Sequence, residues 1–409
     1  MVPRSSSRSL LPLLGFALVL PSAACGSDGS NFVDDDDAVV SGGKRSTSGK
    51  NGTAGNGGVF GGTSGDGGAI GTETRCAPSP ANVEVPGNGC DDDADGRVDV
   101  ETSCDDALGE DGDANAFARA IGLCKVASGD SWGLVKAEYR GGFTRGAPPN
   151  ALQHGILSKF GTGVKPREGN RLGVLSTGQA REFNGPGGKP FRDGGRMNSG
   201  GGGDVAPGFP AGTPGCPVDS EVNDVIDLRL TIKAPANAKA IGFDFSFYSS
   251  EWPAFICSRF NDGFAAILAS KAWNGGTPGN ISFDAQKNPI SVNNGFFDVC
   301  TPNVTAGCRA NPRVSKTFAC ARGTSEIEGT GFFGSITNEC PGTPGSQGGA
   351  TGWLGSQAPV APGETLTLDL VIWDTSDYIF DSSVLVDHVH FVGGGVTVAA
   401  PVTERPPPR

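Results

Sequence analysis

Asp91, Asp93, Asp95, Gly96 and Asp99 fall on the first, third, fifth, sixth and ninth places of a calcium-loop spacing. A hard cation takes about six to eight oxygen ligands, and alternate residues of a tight loop turn inward once a glycine at the sixth place permits the bend. The twelfth place holds Thr102 instead of a bidentate Glu, with Glu101 one step early, so the loop departs from an EF-hand. Cys76, Cys90 and Cys104 bracket it and leave no room for flanking helices. The expectation is a Ca2+ site on Asp91, Asp93, Asp95, Asp99 and Glu101; the plain alternative is a solvated acidic linker. A second candidate site is Glu251, Asn261 and Asp262, which could hold a cation between strands or pin a turn. Glu251 with Asp244 or Asp262 could instead serve glycoside hydrolysis, which needs one carboxyl kept protonated by its surroundings. Asp374, Asp377, Asp381 and Asp387 offer further loop ligands or turn caps.

No catalytic residue is assigned. Nucleophilic chemistry through an imidazole base has only His154, His388 and His390 to draw on, and no nucleophile elbow accompanies them. His388 and His390, two apart on an expected strand, share a side as paired metal ligands do, but such residues are more often surface or satisfied core histidines.

The cysteines report on compartment. Arg4 and Arg8 precede an apolar run from Leu10 to Leu20 that ends at Pro21-Ser22-Ala23-Ala24-Cys25, the three parts of an export signal. The run is about half of the ~20 residues that a membrane-spanning helix needs, so cleavage is expected after residue 24. Export delivers the chain to a disulfide-permissive compartment. With Cys25 set aside, Cys76, Cys90, Cys104, Cys124, Cys216, Cys257, Cys300, Cys308, Cys320 and Cys340 form an even set that can pair with none left over, in an order that spacing does not reveal.

The positioning elements follow from composition and periodicity. Glycine numbers 66 of 409 residues, charged residues are 19% and the net charge is -12. With no basic stripe to neutralise phosphates, nucleic-acid binding is excluded. Residues 25–75 are Gly, Ser, Thr, Asn and Asp with an acidic run from Asp34 to Asp37, which cannot bury enough surface to offset its ordering entropy and is expected to be a disordered tether. Residues 76–114 form the acidic module. From residue 115 to 399 a helix is expected over Ala114 to Val126, followed by strands. In Ala240 to Tyr248, Phe243, Phe245 and Phe247 share one face, predicting a half-buried strand. Asp227 to Lys233, Phe264 to Leu268, Leu366 to Ile372 and Val384 to Phe391 are further strands, and the turn-rich connections imply a mainly β, antiparallel sandwich or jelly-roll-like domain with a short N-terminal helix. Residues 185–203 are expected to be a Gly-rich loop excursion, and residues 400–409 a disordered tail.

Three resemblances carry these expectations further. Ser22-Ala23-Ala24-Cys25 resembles the lipobox of bacterial lipoproteins, which implies lipid on Cys25. The Cys-bracketed acidic segment is similar to the short Asp-rich metal-binding repeats of bacterial surface proteins, such as thrombospondin type 3 repeats. Phe243-Asp244-Phe245-Ser246-Phe247-Tyr248-Ser249-Ser250-Glu251-Trp252-Pro253, Phe260-Asn261-Asp262-Gly263-Phe264, Ile372-Trp373-Asp374-Thr375-Ser376-Asp377 and Asp381-Ser382-Ser383-Val384 resemble the choice-of-anchor L domain of secreted bacterial proteins. That resemblance implies an extracellular module held to the cell by a variable anchor. The ending Pro406-Pro407-Pro408-Arg409 resembles no sorting helix, which puts the anchoring on Cys25. Together they predict a non-catalytic binding or adhesion module at the outer membrane or cell surface, or secreted if Cys25 carries no lipid. Calcium is the expected cofactor, and a glycan or another surface protein the expected partner. The alternative is a secreted polysaccharide hydrolase.

Overall fold

A computed structural model describes residues 76–100, 103–144, 148–183, 197, 203–333, 340 and 348–407. Cys25, the tether, Glu101 and nearly all of the glycine-rich insertion lie outside these residues. In chain order the elements are helix α1 (Ala114–Ala120) and strands β1 (Gly133–Arg140), β2 (His154–Leu157), β3 (Leu172–Ser176), β4 (Val222–Lys233), β5 (Ala240–Ser249), β6 (Gly263–Ala269), β7 (Gly279–Asn280) and β8 (Ile290–Ser291). There follow β9 (Val304–Ala306), β10 (Lys316–Phe318), β11 (Gly349–Ala350), β12 (Leu354–Pro359), β13 (Thr365–Thr375), β14 (Ser382–Val392) and β15 (Val402–Glu404).

Period-two alternation does what it must in an antiparallel pair of sheets. One sheet runs β1-β4-β13-β6-β7 with β8 on β6; the other runs β15-β12-β5-β14-β3-β2 with β11 on β5. Leu228, Leu230 and Ile232 of β4, Leu368 and Leu370 of β13, and Phe264 of β6 meet Phe243, Phe245 and Phe247 of β5 and Val384 and Val386 of β14 in one buried core. Fully burying each such side chain contributes roughly 1.5 to 3 kcal/mol. The expected strands are all present.

The structure departs from three expectations. β5 is buried along its whole length instead of on one face, because Phe160 and Phe332 from neighbouring segments pack on Tyr248 with ring centroids 5.1 and 5.5 Å away. The helix stops at Ala120 instead of Val126, since Gly122 takes φ +104° and the Leu123 N–H turns back to the Ala118 carbonyl. The tail is ordered to Pro407: β15 pairs with the edge of β12, and Arg405 donates to the Thr351 and Phe296 carbonyls. The acidic module is docked on the domain. Asn237 bonds the Val83 N–H and carbonyl, and the Ala236 N–H bonds the Ala81 carbonyl. Helix α1, capped by Asp113 on the Ala116 N–H, closes the gap between the sheets with Phe117 and Ile121. Glycine is required opposite it, because a Cβ on Gly173 would lie 2.2 Å from the Phe117 ring.

All ten cysteines outside the signal region pair: Cys76–Cys90, Cys104–Cys124, Cys216–Cys257, Cys300–Cys320 and Cys308–Cys340. Loops of this size contribute roughly 3 to 4 kcal/mol each in the chain-entropy description. The first two bridges staple the acidic module, and Cys104–Cys124 ties it to the end of α1.

Candidate functional site

In the acidic loop, Gly96 at φ +88° lets the chain turn so that the Asp95 and Gly96 N–H groups donate to Asp91 at 3.0 and 3.1 Å. Glu84 folds back beside the loop, buried, and accepts the Asp93 and Asp99 N–H groups, both at 3.1 Å. One oxygen each from Glu84, Asp91 and Asp93 lies within 4.8 Å of the others, close enough for a single divalent cation to bridge. Lys125, which sits over the Trp132 ring at 5.2 Å, forms an ion pair with Asp93. The other expected ligands stand elsewhere. Asp95 accepts from the Arg97 N–H at 2.8 Å, and Asp99 caps the Asn88 and Gly89 N–H groups at 3.1 Å. Sequence spacing missed Glu84 because it precedes the loop; the one hint was an acid between Val83 and Val85.

The second candidate set is brought together, with additions. The β5–β6 and β13–β14 connections both cross between the sheets at the same end of the sandwich, since Trp373 pairs with Gly263 and Ser382 with Ser249. Glu251 follows β5, Asn261 and Asp262 precede β6, Asp374 ends β13 and Asp381 precedes β14. Glu251, Asn261, Asp262 and Asp374 are each 1% exposed. Asp262 is well held, accepting the Thr375 N–H at 3.0 Å and the Ser382 hydroxyl at 2.7 Å. Asp374 is not: neither oxygen has a well-formed donor, and the Asp262 carboxylate and Thr177 hydroxyl lie beside it. Glu251 Oε2 and both polar atoms of the Asn261 side chain are also buried without a hydrogen-bond partner.

Burial, then the charges of Asp262 and Asp377, pushes the Glu251 carboxyl well up. Burial, then Asp262 and Asp381, does the same to Asp374, and burial lifts Asp262 to about 7. No described Lys, Arg or His forms an ion pair with Glu251, Asp262 or Asp374. Gly178 makes room for the set: a Cβ there would fall 1.8 Å from Asp381 Oδ2. Trp252, next to Glu251, is core, stacked on Phe297 at 4.5 Å.

The sequence profile of the choice-of-anchor L domain matches residues 171–392, just over half the chain and the whole of the interval from β3 to β14. The chain belongs to the choice-of-anchor L family. No curated protein and no solved structure matches it significantly. Membership places the choice-of-anchor L protein among exported, cell-surface modules, and no described helix is long and apolar enough to cross a membrane. The interior carboxylate set lies entirely inside the matched span; the acidic loop lies outside it.

Two other acid groups of the choice-of-anchor L domain are paired with arginine within the chain, at Asp227 with Asp369 and at Asp244. On the outer face of the first sheet, Arg140 bridges Asp227 and Asp369, its Nη2 2.9 Å from Asp369, and Arg229 grips Asp369 at 2.5 and 3.1 Å. Both guanidiniums lie over Phe143, at 5.7 and 5.4 Å. On the outer face of the second sheet, Arg167 pairs with Asp244 at 2.9 Å and its N–H donates to Asp387. Asp244 is thereby committed to Arg167 and stands apart from Glu251, so the first carboxylate pair considered for glycoside hydrolysis is not assembled. His388 sits at φ +51° in a bulge of β14, its ring stacked on His390 at 4.1 Å and its Nδ1 3.6 Å from Asp244. His390 Nδ1 bonds the His388 carbonyl at 2.9 Å, which takes one nitrogen away from metal ligation. Burial lifts the Asp387 carboxyl to about 8.

Proposed function

We propose that this protein is a non-catalytic extracellular binding or adhesion module, tethered by lipid on Cys25 and stabilised by its disulfides and by calcium in the acidic loop. The observation that carries the reading is the grouping of Glu84, Asp91 and Asp93, fixed by backbone N–H donors and docked against the domain. Such a preformed oxygen set favours a hard cation. Lys125 would yield Asp93 to the ion, exchanging a single charge for a double one. The burial of Glu251 and Asp262 supports binding over hydrolysis, because a glycosidase needs both carboxylates reachable by a sugar ring and a water. The Gly-, Ser- and Asp-rich composition of residues 25–75 supports a lipid anchor, since a linker of that composition and about fifty residues would span roughly 40 Å between a membrane and a domain.

The test is a glycan array and a surface-protein pull-down with the mature chain, each run in calcium and in chelator, beside mass spectrometry of the native N-terminus. The expected result is ligand capture that chelator abolishes and calcium restores, with a diacylated Cys25. Binding indifferent to chelator removes calcium from the reading, and an unmodified Cys25 removes the tether.

A further inference from the structure

We propose that the Glu251, Asn261, Asp262 and Asp374 set, with Asp381, is a second and interior divalent-cation site that clamps the two sheets together at the end where the chain crosses between them. It goes beyond the acidic loop and does not depend on it. Three observations meet here. The first is placement: Glu251 and Asp262 lie at the two ends of the β5–β6 crossover, and Asp374 and Asp381 at the two ends of the β13–β14 crossover. One ion among them would fasten both connections at once.

The second observation is the state of the ligand atoms. Both Asp374 oxygens, Glu251 Oε2 and the Asn261 side-chain oxygen are fully buried without a well-formed hydrogen bond, and Asp374 has only the Thr177 hydroxyl and the Asp262 carboxylate beside it. Buried polar groups are nearly always satisfied, and buried carboxylates facing each other are more costly still. The third is the contrast within the same molecule: Asp227, Asp369 and Asp244 are each ion-paired to arginine, whereas no described cationic side chain forms an ion pair with Glu251, Asp262 or Asp374. Carboxylate and amide oxygens at this density match a hard divalent ion such as Ca2+. Their oxygens are more widely spread than the loop group, which alone among described residues gathers within 4.8 Å, so coordination draws the side chains inward. Gly178, with no Cβ to strike Asp381, leaves the space for that movement.

The experiment uses the full mature chain, with the loop silenced by Asp91→Asn and Asp93→Asn. Metal content of the natively folded protein is measured by elemental analysis, and thermal midpoints with calcium and with chelator. The expected result is about one equivalent of calcium retained, released to chelator at least tenfold more slowly than loop calcium because the site is sealed. Adding Asp374→Asn should abolish that equivalent while raising the midpoint in chelator, since the folded chain no longer buries a second acid against Asp262. No retained calcium, magnesium or manganese in the loop-silenced protein, with chelator leaving its midpoint unchanged, overturns the proposal. A lower midpoint for Asp374→Asn in chelator also overturns it, because that result means Asp374 is a structural hydrogen-bonding acid. Neither outcome touches the loop, whose own failure would show as fast-exchanging calcium missing from the unsubstituted chain.

Discussion

Asp369 and Asp374 lie five positions apart on β13, both buried and both facing a second aspartate, yet their surroundings differ in kind. Asp369 meets Asp227 across the sheet with Arg140 and Arg229 between them. Asp374 meets Asp262 at the sandwich end, and no described Arg or Lys forms an ion pair with either. The fold can neutralise a buried carboxylate pair from its own side chains, and does so at mid-sheet where long arginines reach in from the outer face. At the crossover the groups that hold Asp262 are a Thr N–H and a Ser hydroxyl, which can solvate a charge but cannot cancel it, and Arg259 of the same connection acts on Asp377 instead.

Perturbing each pair should push stability in opposite directions. Arg140→Ala leaves Asp227 and Asp369 short of a cation and should cost about 3 kcal/mol in urea unfolding, toward the low end for a broken buried pair because Arg140 is partly exposed. Gly178→Ala drives a methyl into Asp381 and should cost about 1 to 3 kcal/mol by the same measurement, with calcium retention weakened in parallel. Asp374→Asn in chelator should do the reverse, raising stability by about 1 kcal/mol as the second acid buried against Asp262 is removed. If Arg140→Ala and Asp374→Asn both destabilise, the two pairs are alike and the contrast is void.

A third region escapes charge by staying neutral. His154 stacks on Tyr139 at 3.7 Å beside Arg181 and Asp111, and burial, then Arg181, lowers it to about 4 from 6.5. A depressed imidazole means the unfolded chain takes a proton the folded chain refuses, so its contribution to stability is intact above pH 6.5 and is lost as pH falls toward 4. The interior carboxyls titrate with the opposite sign, so the measurement is a difference. Wild-type chain and His154→Gln, followed by urea unfolding from pH 7 to 4, should diverge by less than about 2 kcal/mol, the wild type losing more. Parallel curves would show that His154 protonates freely when folded.

Much of this was legible in the sequence. Phe243, Phe245 and Phe247 announced β5 by alternation, and the acidic spacing drew attention to Asp91 and Asp93. What lay hidden depended on contacts between distant segments. Glu84 joins the loop only after the chain folds back, and Asp374 approaches Asp262, which also acts on Glu251, only because two crossovers share one end of the sandwich. Asp95 and Asp99 satisfied the spacing but spend their oxygens on nearby backbone N–H groups, a use that residue type permits equally well. The tail looked unstructured because prolines dominate its last residues, while the pairing of β15 is set by the open edge of β12, which composition does not show.

That edge has a consequence for life on a crowded surface. An unpaired strand margin is a template on which a neighbouring copy can add its own strand, and repeated addition makes a polymer. Here Val402–Glu404 occupies the β12 margin, and the arginine that follows fastens it to Thr351 and Phe296. The margin left open on that side is then the three residues of β15 instead of the six of β12, a short template for a neighbouring strand.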